Sequence, residues 1–155
     1  MNAIRRTRGN RGFTLVEILI VVIILGILAA IVIPQFTNAS QDARRSSLTS
    51  TLQTLRSQIE LFKLQHGDRL PNLVGAAPAC WVEFTQPSTF GGDDFGPYMQ
   101  AGPVNPLNGL SNVDDGDGTG AVTDAGFAYD YDGGDGTGAI FGTNEDGDTI
   151  FNENP

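Results

Sequence analysis

Residues 12–34 read GFTLVEILIVVIILGILAAIVIP, and this stretch decides the fold. From Phe13 to Ile33 the run is apolar apart from Thr14, Glu17 and Gly26. A helix rises about 1.5 Å per residue, so roughly twenty such residues cross a bilayer core of about 30 Å. Arg5, Arg6, Arg8 and Arg11 precede the run, and no acid does. Basic residues beside a span stay on the cytoplasmic side. The remainder of the chain is therefore expected across the membrane. A secretory signal peptide has the same basic-then-apolar order and ends on small residues, a part Ala29 and Ala30 would play. Glu17 speaks against it, since the apolar region of such a signal has no use for a buried acid.

Working outward, the helical pattern continues past Pro34 and becomes amphipathic. Leu48, Leu52, Leu55, Ile59 and Phe62 recur at alternating steps of four and three. That spacing lays one apolar stripe on a helix. Gly67 offers a C-cap and Pro71 forbids an early restart. One helix is predicted from about Thr14 to His66, with Gly26 and Pro34 as its weak points.

Residues 70–112 are rich in proline and read as loops. Trp81, Phe84, Phe90, Phe95 and Tyr98 are expected to pack on the helix stripe. Phe127, Tyr129 and Tyr131 alternate with smaller or polar residues, the period-two mark of a strand. Ala139 to Thr143 is a second strand candidate, and the glycine-rich 132–138 run between them is turn chemistry, so a β-hairpin is predicted. Ile150 and Phe151 are a candidate last strand. The repeat of residues 117–122 in 135–140 reads as reused turn chemistry.

Composition narrows the function. The formal net charge is −9, the last basic residue is Arg69, and only acids occur among charged residues from Asp93 onward. No basic footprint for nucleic acid exists in the body of the chain. The single cysteine, Cys80, excludes an intrachain disulfide and reads as a small buried side chain. His66 reads as a helix-end residue. There is no nucleophile elbow, histidine cluster or phosphate-binding glycine loop, so no enzyme is expected.

Arg11-Gly12-Phe13-Thr14-Leu15-Val16-Glu17, continued to Pro34, resembles the prepilin-peptidase recognition site of type IV pilins and type II secretion pseudopilins. The resemblance implies an α+β, type IV pilin-like fold: a long amino-terminal helix, transmembrane and then amphipathic, packed on a small loop-rich antiparallel β domain. It divides the chain into a cleaved leader (1–12), a transmembrane and filament-core helix (13–35), an amphipathic half (36–67) and a globular domain with an acidic tail (68–155). It also implies cleavage between Gly12 and Phe13 by a membrane peptidase, methylation of the new amino terminus on Phe13, and pairing of Glu17 with the Phe13 amine of the next subunit. A carboxylate in hydrocarbon costs on the order of 3 kcal/mol unless it is partnered, which gives Glu17 a physical reason to seek that amine. The bland alternative is that Glu17 caps the helix start at headgroup level. In filaments of this class the helix near Gly26 and Pro34 can lose regular structure; the alternative is a tolerated kink.

Within the family, the chain is most similar to the major pseudopilin of type II secretion. The looser matches are Leu61 to Asp68, Gly96 to Gln100 and Pro103 to Gly109, with the Tyr129 hairpin and the acidic tail. Type IV major pilins often carry a carboxy-terminal disulfide loop, which this chain cannot form; the alternative remains a type IV pilin for adhesion, motility or DNA uptake. The implied partners are further copies of itself, minor pseudopilins, the prepilin peptidase and an inner-membrane assembly platform, with the carboxy-terminal domain periplasmic. The family often binds calcium in a carboxy-terminal loop. Asn144, Asp146 and Asp148 place oxygens at alternating positions, with Asn152 and Glu153 following, and Asp115, Asp117, Thr119 and Asp124 form a second candidate.

Overall fold

A computed structural model describes residues 12–119 and 121–153. The basic leader expected over 1–12 therefore lies outside the described residues except for Gly12. The chain divides into two compact units, Met1–Ser40 and Gln41–Pro155, with the boundary inside one helix.

Helix α1 spans Leu15–Gln65, within a residue of the predicted bounds at each end. Its first part is a continuous apolar surface: every large apolar side chain from Phe13 to Phe36 is exposed, Phe13 at 83%. Pro34 sits inside α1 without ending it. Proline has no N–H to donate, so the Ala30 carbonyl loses its usual partner four residues on. One turn later the Thr37 hydroxyl donates to Ile33 O at 3.3 Å, a side-chain bond that helical threonines often make.

The carboxy-terminal part of α1 carries the core stripe. Leu48, Leu52, Leu55, Ile59 and Phe62 are all buried, as their spacing predicts. Burial of each contributes on the order of 2 kcal/mol. The helix ends where Gly67 and Asp68 turn left-handed, at φ 64° and 70°. The Asp68 N–H donates to Lys63 O at 2.9 Å and satisfies a terminal carbonyl.

The 70–112 segment, expected as loops, holds short regular pieces. A 3-10 turn over Ala79–Trp81 runs into α2 (Val82–Thr85), and β1 (Ser88–Phe90) pairs with β2 (Asp93–Phe95) as a hairpin. Trp81 and Phe84 are buried against the stripe, and Phe62 lies 6.2 Å from Phe84 and 5.4 Å from Tyr98 between ring centroids. His66 does more than end the helix. It is buried, stacked on Phe62 at 3.9 Å, and held between Phe62 O at 3.0 Å and Ser88 Oγ at 2.9 Å.

The main sheet has three strands: β3 (Val113–Asp115), β4 (Phe127–Tyr129) and β5 (Ile140–Gly142), in that order. The β4–β5 hairpin matches the prediction, with Phe127 opposite Gly142 and Tyr129 opposite Ile140. One strand pair departs from the antiparallel pattern expected. β3 runs parallel to β4, because the chain crosses over between Asp115 and Phe127 instead of turning back tightly. Val113-Asp114-Asp115 lacks a strand signature, yet the two acids are satisfied. Asp114 accepts from Thr123 N at 3.0 Å, and Asp115 accepts from Tyr131 N at 3.1 Å. Of the expected last strand, only one bridge forms, between Ile150 and Thr143. Cys80 is buried, as its composition suggests.

Candidate functional site

The residues singled out by the leader motif lie at the start of α1. Thr14 precedes its first turn, and Glu17 folds back onto it. Glu17 Oε2 accepts from Thr14 N at 2.9 Å and from the Thr14 hydroxyl at 2.8 Å, while Glu17 N donates to Thr14 Oγ1 at 3.2 Å. This is a reciprocal capping box, threonine at the cap and glutamate three residues on, and it satisfies otherwise orphaned N–H groups. In the single chain Glu17 thus completes the cap that Thr14 begins. Gly12 and Phe13 sit just upstream, exposed, and a Cβ at Gly12 would meet nothing within 4 Å. Among the described residues nothing crowds the Gly12–Phe13 bond.

The arrangement around this box is chemically simple. An acid and a hydroxyl stand at the mouth of a long apolar helix whose large apolar side chains are exposed among the described residues. Such a surface needs lipid or other helices to cover it. The helix is long and apolar enough to cross a membrane by length and composition.

The acidic loops proposed for calcium close on themselves. Asp146 Oδ1 accepts from Asp148 N at 3.0 Å, Thr149 N at 3.1 Å and the Thr149 hydroxyl at 3.0 Å. Asp148 Oδ1 accepts from Asp124 N at 2.8 Å, and the Asn144 amide donates to Thr149 Oγ1 at 3.0 Å and Ile150 O at 3.1 Å. In the second candidate, Asp117 Oδ1 takes Thr119 N at 2.9 Å and the Thr119 hydroxyl at 2.7 Å. Among the described residues no three acidic, histidine or cysteine side chains converge as metal ligands. Calcium needs six to eight oxygens, so the arrangement lends the expectation no support and the loops read as side-chain-bonded turns.

One constellation escaped the sequence reading. Asn105 is fully buried and its amide donates to Gly126 O at 2.7 Å and Thr143 O at 2.8 Å. Its own Oδ1 accepts from Leu107 N at 2.9 Å. Asn108 repeats the pattern one turn on, donating to Ala125 O at 3.0 Å and Thr143 Oγ1 at 2.8 Å. These two side chains staple the 103–110 loop to the β4–β5 hairpin. The Asn-Pro-Leu-Asn spacing was visible, but its long-range acceptors were not.

Comparison with known proteins fits the leader motif. The family described as "Prokaryotic N-terminal methylation motif" matches residues 7–33. Type II secretion system core protein G of Dickeya chrysanthemi is 39% identical over 59 residues, covering 38% of this chain and 39% of that protein. The protein of the same description from Aeromonas hydrophila is 32% identical over 80 residues, covering 46% of this chain and 56% of that one. The type IV major pilin protein PilA of Myxococcus xanthus is 42% identical over 72 residues, covering 44% of this chain and 32% of that protein. The match to the first of these relatives spans well under half of that protein's length. No solved structure matches. The chain thus carries the prokaryotic N-terminal methylation motif, and over its amino-terminal part it is similar to type II secretion system core protein G.

Proposed function

We propose that this chain is a structural subunit of a pilus-like filament, the major pseudopilin of a type II secretion system, and does no chemistry of its own. The observation that carries the reading is the junction Gly12-Phe13 followed by Glu17 at the head of an exposed apolar helix. Before assembly the first part of α1, through residue 35, lies in the inner membrane, with residues 1–12 cytoplasmic and the carboxy-terminal domain periplasmic. A prepilin peptidase cuts between Gly12 and Phe13 and the amine of Phe13 is methylated. The open backbone at Gly12 admits an active site to that bond.

Assembly then exchanges partners. In the monomer Glu17 is held by Thr14 N and Oγ1. In the filament its carboxylate pairs with the charged amine of Phe13 in a neighbouring copy. In a low-dielectric helix bundle an ion pair between two full charges is stronger than the charge–dipole bonds it replaces. The exposed apolar face from Phe13 to Phe36 is buried against the same face of other copies, and Pro34 gives the helix a place to yield. Minor pseudopilins and an inner-membrane platform are the further partners this reading requires.

The test is Glu17→Ala in cells that carry the secretion machinery, followed by shearing and quantification of filaments and of secreted protein. Loss of both, with the precursor still cleaved, is expected. Normal filaments would overturn the pairing. The match to PilA favours a second reading, a type IV pilin subunit. Surface pili that depend on a retraction motor, with secretion unaffected, would select it.

A further inference from the structure

Beyond the leader, basic residues are scarce: only Arg44, Arg45, Arg56, Lys63 and Arg69 follow the apolar run. Three of them are paired within the chain. Arg56 binds Glu153, Lys63 lies 3.6 Å from Glu60, and Arg69 lies 3.2 Å from Glu83. Arg44 and Arg45 are exposed and make no ion pair or side-chain hydrogen bond among the described residues. Arg45 borders two adjoining concavities of about 440 Å³ and about 380 Å³ shared with Asn144. Asp42, Glu145, Asp146 and Glu153 also border these hollows, yet none of them closes on Arg45.

The other end of the same domain carries exposed acids. The β1–β2 hairpin packs on the end of α1, where Phe90 and Phe95 each lie 5.4 Å from the His66 ring. Its tip carries Asp93 and Asp94, both exposed, and Asp68 stands exposed just past the helix end. The Asp68 and Asp93 carboxylates make no ion pair or side-chain hydrogen bond among the described residues, and Asp94 accepts only from the Thr89 hydroxyl, at 2.7 Å. Arg45 and the helix end are some twenty residues apart, about 30 Å along α1. No bond within one chain can join these two ends.

We propose that the Arg44–Arg45 pair of one copy docks on the Asp68, Asp93 and Asp94 end of the next copy. The occupant is a second copy of this chain, because the complementary charge is carried by the chain itself, at a distance that forbids self-pairing. A head-to-tail contact of this kind is heterologous and propagates as an open filament instead of closing on a dimer. The contact rests on the proposed filament and adds what the apolar helix face cannot supply. Helix packing by apolar side chains leaves axial register loosely defined, whereas two guanidinium groups docked on that acidic end fix it.

The test uses the full chain, processed and assembled in cells. Arg45→Cys combined with Asp93→Cys, treated with a bis-maleimide, is expected to give a ladder of multimers, while each single variant gives no ladder. Cys80 is buried and stays out of the reaction. In parallel, Arg44→Glu with Arg45→Glu is expected to lower filament yield at least tenfold, and adding Asp93→Arg and Asp94→Arg to restore most of it. Filaments that survive the arginine reversal, or the absence of a ladder from filaments that do form, overturn the contact and leave the filament reading standing. A reversal rescued by no aspartate change also overturns it and points to anionic headgroups as the ligand of the arginines. A wild-type chain that forms no filaments removes the filament reading and the contact with it.

Discussion

Replacing Asn105 by alanine in the Gln41–Pro155 unit tests the staple between the 103–110 loop and the sheet. The substitution deletes the amide's donations to Gly126 O, Thr143 O and, at 3.2 Å, Thr143 Oγ1, and the acceptor for Leu107 N. Gly126 O keeps other donors, since the Thr143 hydroxyl reaches it at 3.0 Å and Thr143 N at 3.3 Å. The Leu107 N–H and one carbonyl are then left without these partners at a buried site. Each buried group left unsatisfied costs about 1–3 kcal/mol, so the expected loss is about 3 kcal/mol. A domain of this size unfolds with an entropy that converts 1 kcal/mol to roughly 4 °C, giving a fall in Tm of about 12 °C. Thermal unfolding followed by circular dichroism reads it directly. Asn105→Asp serves as the internal control. It keeps the acceptor for Leu107 N but turns charged oxygens toward two carbonyls, and it should cost more than alanine at neutral pH. A shift below about 2 °C for alanine, or an aspartate variant as stable as the parent, would refute the idea that this side chain holds the loop on the sheet.

Gly126→Ala should destabilise by about 1–3 kcal/mol in the same assay, because its Cβ would stand 2.4 Å from Leu110 O, a backbone atom that cannot swing away. Tyr129→Phe is expected to leave stability unchanged or raise it by up to about 1 kcal/mol, since the Tyr129 hydroxyl is buried with no hydrogen-bond partner among the described residues and burial pushes its ionisation up. Arg56→Ala should cost only about 1 kcal/mol in chemical denaturation, because its pair with Glu153 is partly exposed. The Thr149 hydroxyl, followed by the Asp148 N–H, holds the Asp146 carboxyl below its ordinary range. Its stabilising contribution is therefore present at neutral pH and lost as pH falls below about 4, and Asp146→Asn should flatten that part of a Tm-against-pH curve.

The helix and its core face were legible in the sequence because both rest on local periodicity. The stripe from Leu48 to Phe62 needs only 3.6 residues per turn to declare itself, and the end at Gly67 needs only a residue that tolerates positive φ. The Tyr129 hairpin was legible for the same reason, with alternation on both sides of a glycine-rich turn. β3 was not, since Val113-Asp114-Asp115 looks like an acidic turn until Thr123 and Tyr131 supply the N–H groups that satisfy its carboxylates. The acids of the 144–149 loop show what spacing alone leaves open. Alternating oxygens look like cation ligands in sequence, and in the fold they bind their own backbone. His66 was read as a helix end, and only the approach of Ser88 and three aromatic rings shows it to be part of the core.

By itself the sequence determined that this protein has a long apolar helix with a cleavable-looking head, an acid near its start, and an amphipathic continuation. Those features depend on residues that are neighbours along the chain, so composition and spacing suffice. Tertiary structure alone decided that Asn105 clamps the sheet, and that Arg44 and Arg45 are left over when the other late cations have found acids. Which charges remain to meet another molecule depends on which are already paired across long stretches of chain. Long-range pairing of that kind is set by the packing of the domain, which no local pattern encodes.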